Sequence, residues 1–422
     1  MNKKRDAKMK NYLMPLVLAA AMAPAVAGAQ ATTDQKVDAL QKEVDRLKGE
    51  VDRLKTDKPV AAADAQDKRA GTEGSPTTLF GYGEFNYNRF REPERTSKAD
   101  LRRFVIGLGH RFDDRLSFVS ELEIEHAVAS SGDQGEVEVE QAYLNYKFGD
   151  AVNVKGGLFL IPLGILNETH EPPTYYGVER NEVETRIIPT TWRELGMGVH
   201  GFLGRGFRYD AGITTGFDSG KLDDPSTGIA SAHQEGQLAN ARDLSVYGAL
   251  NYSAPGLLIG GGLFTGNTGQ DGQGNPALKG VAARLTLWDV HAKYSIAGFD
   301  LQALYAAGKL GDADKVNAVT SATPTPFAAP KSLLGWYLQA AYHLYRAGDL
   351  DVAPFARLER FQIQQQEDAA LGVFQDPNNN ERLWTMGVNF KIHPQVVIKT
   401  DVQRYTTDRT KDRFNIGLGY MF

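Results

Sequence analysis

The sequence predicts an all-β transmembrane barrel of about 16 antiparallel strands, preceded by a short N-terminal α-helical coiled coil. Three observations carry that prediction. From Leu79 to the C-terminus, apolar residues recur at every second position within segments of about ten residues, which is the period of strands. The breaks between segments alternate between short and long, as periplasmic turns and external loops do in outer-membrane barrels. The chain begins with an export signal and holds no later apolar run long enough for a membrane helix, so any membrane role falls to strands.

The N-terminal elements come first. Residues 1–29 read as a signal peptide: Lys3, Lys4, Arg5, Lys8 and Lys10 form a basic start, Leu13 to Ala23 an apolar run, and Ala27 and Ala29 the small residues of a cleavage site. The mature chain is expected to begin at Gln30. Residues 30–55 form a periplasmic coiled-coil segment, with Val37, Val44 and Val51 at heptad position a and Leu40, Leu47 and Leu54 at d. Glu43 and Glu50 at g face Lys48 and Lys55 at e of a parallel neighbour, so parallel self-association is expected. Valine at a with leucine at d nominally favours two strands. A single amphipathic helix packing on its own barrel is the alternative. Residues 56–76 turn to Ala, Asp, Lys, Gly and Pro without apolar period and read as a flexible linker.

The barrel is expected over residues 77–422. Its alternation is clearest in Leu116, Phe118, Leu122 and Ile124; in Phe207, Tyr209, Ala211 and Ile213; in Trp288, Val290, Ala292 and Tyr294; and in Trp384, Met386, Val388 and Phe390. Short breaks fall at Asp113 to Arg115, Gly149 to Ala151, Gly204 to Gly206, Ala254 to Gly256, Ala297 to Gly298, Arg346 to Asp349 and His393 to Pro394. Long ones include Asp218 to Arg242, Thr265 to Lys279, Lys309 to Ser332 and Gln365 to Glu381. Between the apolar residues lie the candidate pore-lining side chains: Glu121, Glu123, Lys147, Arg208, Asp289, Lys293, Arg357, Glu359, Lys399 and Asp401. A lumen lined by these is expected to be wet. A soluble barrel would show the same alternation with its faces exchanged; export, strand number and loop asymmetry favour the membrane form.

Composition excludes several chemistries. The 422 residues contain no cysteine, which removes disulfides, thiolate metal sites and cysteine nucleophiles. The net charge of -5 is mild, and Lys and Arg form no stripe, so no nucleic-acid partner is expected. No H-E-x-x-H, G-x-S-x-G or P-loop motif occurs. Asp271 to Asn275 faintly has the form of a calcium loop but lacks its terminal glutamate. No enzyme activity, cofactor or metal site is expected. An outer-membrane hydrolase would need a Ser/His/acid constellation for which no spacing argues.

The segment Gly164 to Arg193 is too long, aromatic and apolar for a solvated loop, and should fold against something. The last strand, Arg413 to Phe422, sets Phe414, Ile416, Leu418, Tyr420 and Phe422 on one face. An alternating final strand ending in an aromatic residue resembles the signature that the barrel assembly machinery reads in bacterial outer-membrane proteins.

The coiled-coil start, the stretch Gln141 to Tyr146, the Pro162-Leu-Gly turn and the Ile188-Pro-Thr-Thr-Trp exit together resemble the phosphate-selective porin O and P family, over most of the mature chain. That resemblance implies an outer-membrane location in a Gram-negative bacterium, contacts with outer-membrane lipid and lipopolysaccharide, and a homotrimer, against the two-stranded preference of the coiled coil. It also implies passage of small polar solutes or ions. In general porins the third external loop bends into the barrel and narrows it, so residues 164–193 are assigned as the constriction loop, with Glu168, His170, Glu171, Glu179, Arg180, Glu182, Glu184, Arg186 and Arg193 at the constriction. Phosphate selectivity in the family depends on a ladder of lysines and arginines. Here the lumen candidates mix signs and the loop is acid-rich, so weak cation preference or none is expected. Two other readings stay open: an anion-selective pore, and a structural protein with a coiled-coil spacer and a closed barrel.

Overall fold

Antiparallel pairing runs without interruption from the first strand to the last and back. The computed structural model describes residues 41, 42, 44, 69, 75–222, 227–320, 329–363 and 379–422. The cleavage site, most of the coiled coil and most of the linker lie outside the described residues; Gln41, Lys42 and Val44 are helical. The strands are β1 Thr77–Phe90, β2 Lys98–Arg111, β3 Leu116–Glu125, β4 Val137–Lys147, β5 Asn153–Leu160 and β6 Arg193–Gly204. They continue with β7 Phe207–Thr214, β8 Ser245–Ala254, β9 Leu257–Asn267, β10 Arg284–Ile296, β11 Phe299–Leu310 and β12 Ser332–Tyr342. The wall is completed by β13 Tyr345–Ala347, β14 Leu350–Gln362, β15 Asn380–His393, β16 Val396–Tyr405 and β17 Arg413–Met421.

β12 and β13 pair with successive stretches of the same neighbour, β14. They act as one stave broken at His343 and Leu344, so the barrel has sixteen staves. Closure is made by β1 on β17, in register from Tyr82 opposite Met421 to Phe90 opposite Arg413. At the seam the Phe422 N–H donates to Gly81 O at 2.9 Å and the Gly81 N–H to Phe422 O at 3.1 Å. Among the described residues the sheet keeps no free edge for pairing with another chain.

The period-two pattern produces a wall with two different faces. Outward, Met197, Ile213, Val290, Leu338 and Met386 are each more than half exposed, as residues facing hydrocarbon must be. Inward, their neighbours Thr214, Asp289, Gln339 and Thr385 are buried. The short breaks coincide with the turns at one rim and the long ones with the loops at the other.

The lumen corrects the expectation of a uniformly wet interior. Tyr143, Phe159, Tyr247, Phe264, Leu285, Leu304, Leu333 and Tyr337 also point inward, and with Phe217, Leu222 and Leu278 from the loops after β7 and β9 they form one apolar core inside the barrel. What covers them is the loop between β5 and β6.

Candidate functional site

That loop spans 161–192, since Leu160 ends β5 and Arg193 already begins β6. Arg193 is therefore a wall residue, held by Glu138 and Glu235, and not part of the loop. Asn167 ties the neck: its side-chain amide donates to Ile161 O and Trp192 O and its oxygen accepts from Trp192 N at 2.7 Å. Trp192 then meets Phe264 edge to face, with ring centroids 4.5 Å apart. Leu163, Ile165, Leu166, Val183, Ile187 and Ile188 join the interior core. Burying these apolar side chains, at roughly 25 cal/mol per Å², holds the loop inside rather than in the external solvent.

The wall makes room where the loop comes closest. A Cβ on Gly335 would lie 2.9 Å from Ile187 and Val183, and one on Gly419 would lie 2.2 Å from Pro172. Glu184 fastens the fold of the loop itself, accepting from Leu166 N at 2.7 Å, Asn181 Nδ2 at 2.9 Å and the Tyr337 hydroxyl at 2.9 Å. Gly164, with φ +76°, takes a turn in which its N–H reaches Asp289 Oδ1 at 3.1 Å.

Beyond this core the loop crosses to the opposite wall through polar contacts. Tyr175 donates to Glu84 Oε2 at 2.9 Å and lies under Lys399 Nζ, 3.5 Å from its ring centroid. Val178 N donates to Asp401 Oδ2 at 2.7 Å, Arg357 to Tyr176 O at 3.1 Å, and Glu182 N to Glu359 Oε2 at 2.7 Å. These wall partners lie on β1, β14 and β16, whereas Leu163 packs at Gly262 of β9 and Val183 and Ile187 pack at Gly335 of β12, so the loop spans the lumen.

The charges predicted at the constriction divide into two sets. Glu171, Arg180, Glu184 and His170 are buried: Arg180 bonds Thr190 and Thr191 within the loop, and Glu171 meets Arg69. Glu168, Glu179, Glu182 and Arg186 keep partial exposure. Glu168 sits 3.4 Å from Arg208, Glu182 pairs with Arg186 and accepts from Tyr405, and Glu179 accepts, among the described residues, from the neutral amides of Asn86 and Asn88, at 3.4 and 2.9 Å. Burial raises the Glu182 carboxyl pKa, but the charge and hydrogen bond of Arg186, the Arg413 charge and the Tyr405 hydroxyl together outweigh it and hold the group below the ordinary glutamate range. Arg186 is raised in turn: burial lowers it, and the Glu182 carboxylate more than compensates. His170 is held well below the ordinary imidazole range, by burial first and the Arg180 charge second.

Of the predicted lining residues, Glu121, Glu123, Arg208, Asp289, Arg357, Glu359, Lys399 and Asp401 are buried on the lumen side and Lys293 is half-buried. Lys147 stands apart: at the turn end of β4 it is half exposed, 3.4 Å from Asp150. Sequence reasoning passed over Glu84 with Arg103 (2.8 Å), Lys155, which pairs with the inward Asp210 (2.6 Å), Glu140, and Arg69, which lies 3.0 Å from Glu121. Alternation would have found Lys155, two residues from Asn153 on the inner face; Glu140 breaks alternation, and Arg69 precedes the strands.

Comparison with known proteins agrees with this architecture. The sequence model of phosphate-selective porin O and P matches residues 80–422. An uncharacterized protein of Aquifex aeolicus (strain VF5) is 32% identical over 360 residues, which cover 82% of this chain and 80% of the relative. Among solved structures, Salmonella typhi OmpF in complex with daunomycin is similar at a TM-score of 0.57 and 14% identity, covering 82% of this chain and 97% of that one. An anion-selective porin from Comamonas acidovorans is similar at 0.51 and 13%, over 82% and 99%.

Proposed function

This chain belongs to the phosphate-selective porin O and P family and is an outer-membrane porin of a Gram-negative bacterium, and from that premise we propose that it passes small hydrophilic solutes or ions through an opening set by the loop 161–192. The supporting observation is the set of loop charges that keep partial exposure: three carboxylates, Glu168, Glu179 and Glu182, against Arg186 alone. Two of the three carboxylates are paired, and among the described residues Glu179 has no cation within ion-pairing distance, Arg413 acting on it only from farther off. A fixed negative charge at a narrow point favours cations, and no ladder of lysines and arginines runs along the described lumen. Weak cation preference follows.

In this reading Glu168, His170, Glu171, Glu179, Arg180, Glu182, Glu184 and Arg186 form or hold the constriction, and the inward charges of the staves line the path. The working unit is a homotrimer, the assembly that the family resemblance implies; the Glu and Lys spacing of the N-terminal heptads supports parallel self-association without fixing the number of chains. The apolar outer face meets lipid and lipopolysaccharide. The C-terminal strand ending at Phe422 is the segment presented to the barrel assembly machinery. The test is the zero-current potential of the purified protein in a planar bilayer under a potassium chloride gradient. A small cation-preferring potential supports the proposal; a strong anion preference would return the phosphate reading, and a bilayer with no conductance steps would leave only the anchoring role.

A further inference from the structure

We propose that Glu121, Glu140 and His170 form a binding site for a divalent transition-metal ion of the zinc class, joining the loop 161–192 to the β3–β4 wall.

Glu140 is where the wall departs from its own rule. Glu121 pairs with Gln141 while Leu122 pairs with Val139, so Glu140 is the extra residue of a β-bulge. A bulge re-aims a side chain, and here Glu140 and Gln141 are consecutive and both buried. Strict alternation would have sent one of them to lipid. The bulge thus brings a second carboxylate beside Glu121, in an interior where an uncompensated charge is costly. No Lys or Arg lies within ion-pairing distance of Glu140 among the described residues; its neighbours are the Tyr82 hydroxyl, at 3.2 Å, the Glu123 carboxyl, with which it shares a hydrogen bond in the protonated form that a metal ion would displace, and the imidazole of His170, whose Nε2 is 3.9 Å from Oε2.

The imidazole is prepared for a metal. Its Nδ1 lies 3.0 Å from the carbonyl oxygen of Asn167, and a carbonyl only accepts, so Nδ1 carries the proton and Nε2 presents a lone pair. That Nε2 has no hydrogen-bond partner and the residue is 2% exposed. The carboxylates are oriented from behind as well: Gln141 donates to Glu121 Oε2 at 2.6 Å and Tyr82 to Glu140 Oε2. Backing of this kind aligns the ligands of metal sites. The three ligand atoms lie within 4.8 Å of one another. Shifts of about 0.7 Å each bring them to the 2.0–2.2 Å that zinc requires of nitrogen and oxygen. One nitrogen and two oxygens suit a borderline cation better than calcium or magnesium, which take oxygen alone. Arg69 lies 3.0 Å from Glu121 Oε1, and the ion would share that carboxylate with it.

The test uses the folded, full-length mature protein in detergent, stripped with chelator and titrated calorimetrically with zinc chloride. One zinc per chain is expected, with His170→Asn and Glu140→Gln each weakening binding by about 100-fold or more, beyond the loss typical for a backing residue. Retained heat-modifiable mobility in cold detergent gels certifies each variant as a closed barrel, and His170→Asn, which lies on the loop, carries the test if the bulge variant fails to fold. Absence of saturable binding to the wild type, or wild-type affinity in His170→Asn, would overturn the site. Binding is read without conduction, so failure here leaves the pore reading standing, and the reverse.

Discussion

Tyr337 of the wall donates its phenolic hydroxyl to Glu184 of the interior loop at 2.9 Å, both residues being buried. The same carboxylate accepts the backbone N–H groups of Ile165 and Leu166 and the Asn181 amide. One side chain therefore closes the loop on itself and fixes it to β12. Glu184→Ala strands two backbone donors and a phenol, at about 1–3 kcal/mol for each unsatisfied buried group. The expected outcome is a loop cut by protease at lower concentrations and a noisier open channel, with the barrel intact. Unchanged protection would mean that the apolar packing alone holds the loop.

Selectivity is predicted to rest on Glu179 more than on its neighbours, because Glu168 and Glu182 have cationic partners and Glu179 has two amides. Glu179→Lys should move the zero-current potential toward anions, and Glu179→Gln about half as far on simple charge counting. The same changes at Glu168 should do less.

The sign of a pH effect follows from Glu182. Its carboxyl is held below the ordinary value in the folded protein, where burial is outweighed by Arg186, Arg413 and Tyr405 together. A lowered folded pKa gives stabilisation that is fully present above the unfolded pKa, about 4.3 for glutamate, and is lost as pH falls through the folded one. The stability difference between wild type and Glu182→Gln should hold constant from pH 7 to about 5 and shrink only below pH 4.3. Thermal unfolding in detergent across that series checks it, and a difference that shrank on raising the pH would contradict the assignment.

The outer face offers a contrast between adjacent residues. Val290 lies midway along β10 and is 53% exposed, while Asp289 beside it is buried in the lumen and bonded to His291 at 2.6 Å. Val290→Arg should destabilise the barrel by about 2–4 kcal/mol if it meets the bilayer midplane, measured by reversible unfolding into lipid vesicles. A cost near zero would place that face in water or in a subunit contact.

The strands, the turns and the loop were legible in the sequence because each follows from a local rule. Trp288, Val290 and Ala292 alternate with Asp289, His291 and Lys293, and one period decides which face meets lipid. Less legible was the inner apolar surface. Tyr337 and Phe264 read locally as interruptions of a polar face, and only the loop that packs on them gives them a reason to be there. The loop boundaries were misplaced at both ends, by Ile161 and Arg193, since pairing of β5 with β6 is settled by register and not by composition. Glu140 was invisible because a bulge depends on which partner each residue meets, here Gln141 and Val139 against Glu121 and Leu122. Arg69 was read as linker, and nothing in a charged, proline-bearing stretch announces that one guanidinium reaches Glu121.

The central claim is that the loop 161–192 sets the opening of the pore. Its most direct test is single-channel conductance of the wild type against a variant in which residues 168–181 are replaced by a short Gly-Ser bridge, leaving the apolar anchors Leu163, Ile165, Val183 and Ile187 in place. The account predicts stepwise conductance in both, with severalfold larger steps and a weaker cation preference in the shortened loop. Equal steps in the two proteins would contradict it, by showing that ions cross the barrel along a path that the loop does not limit.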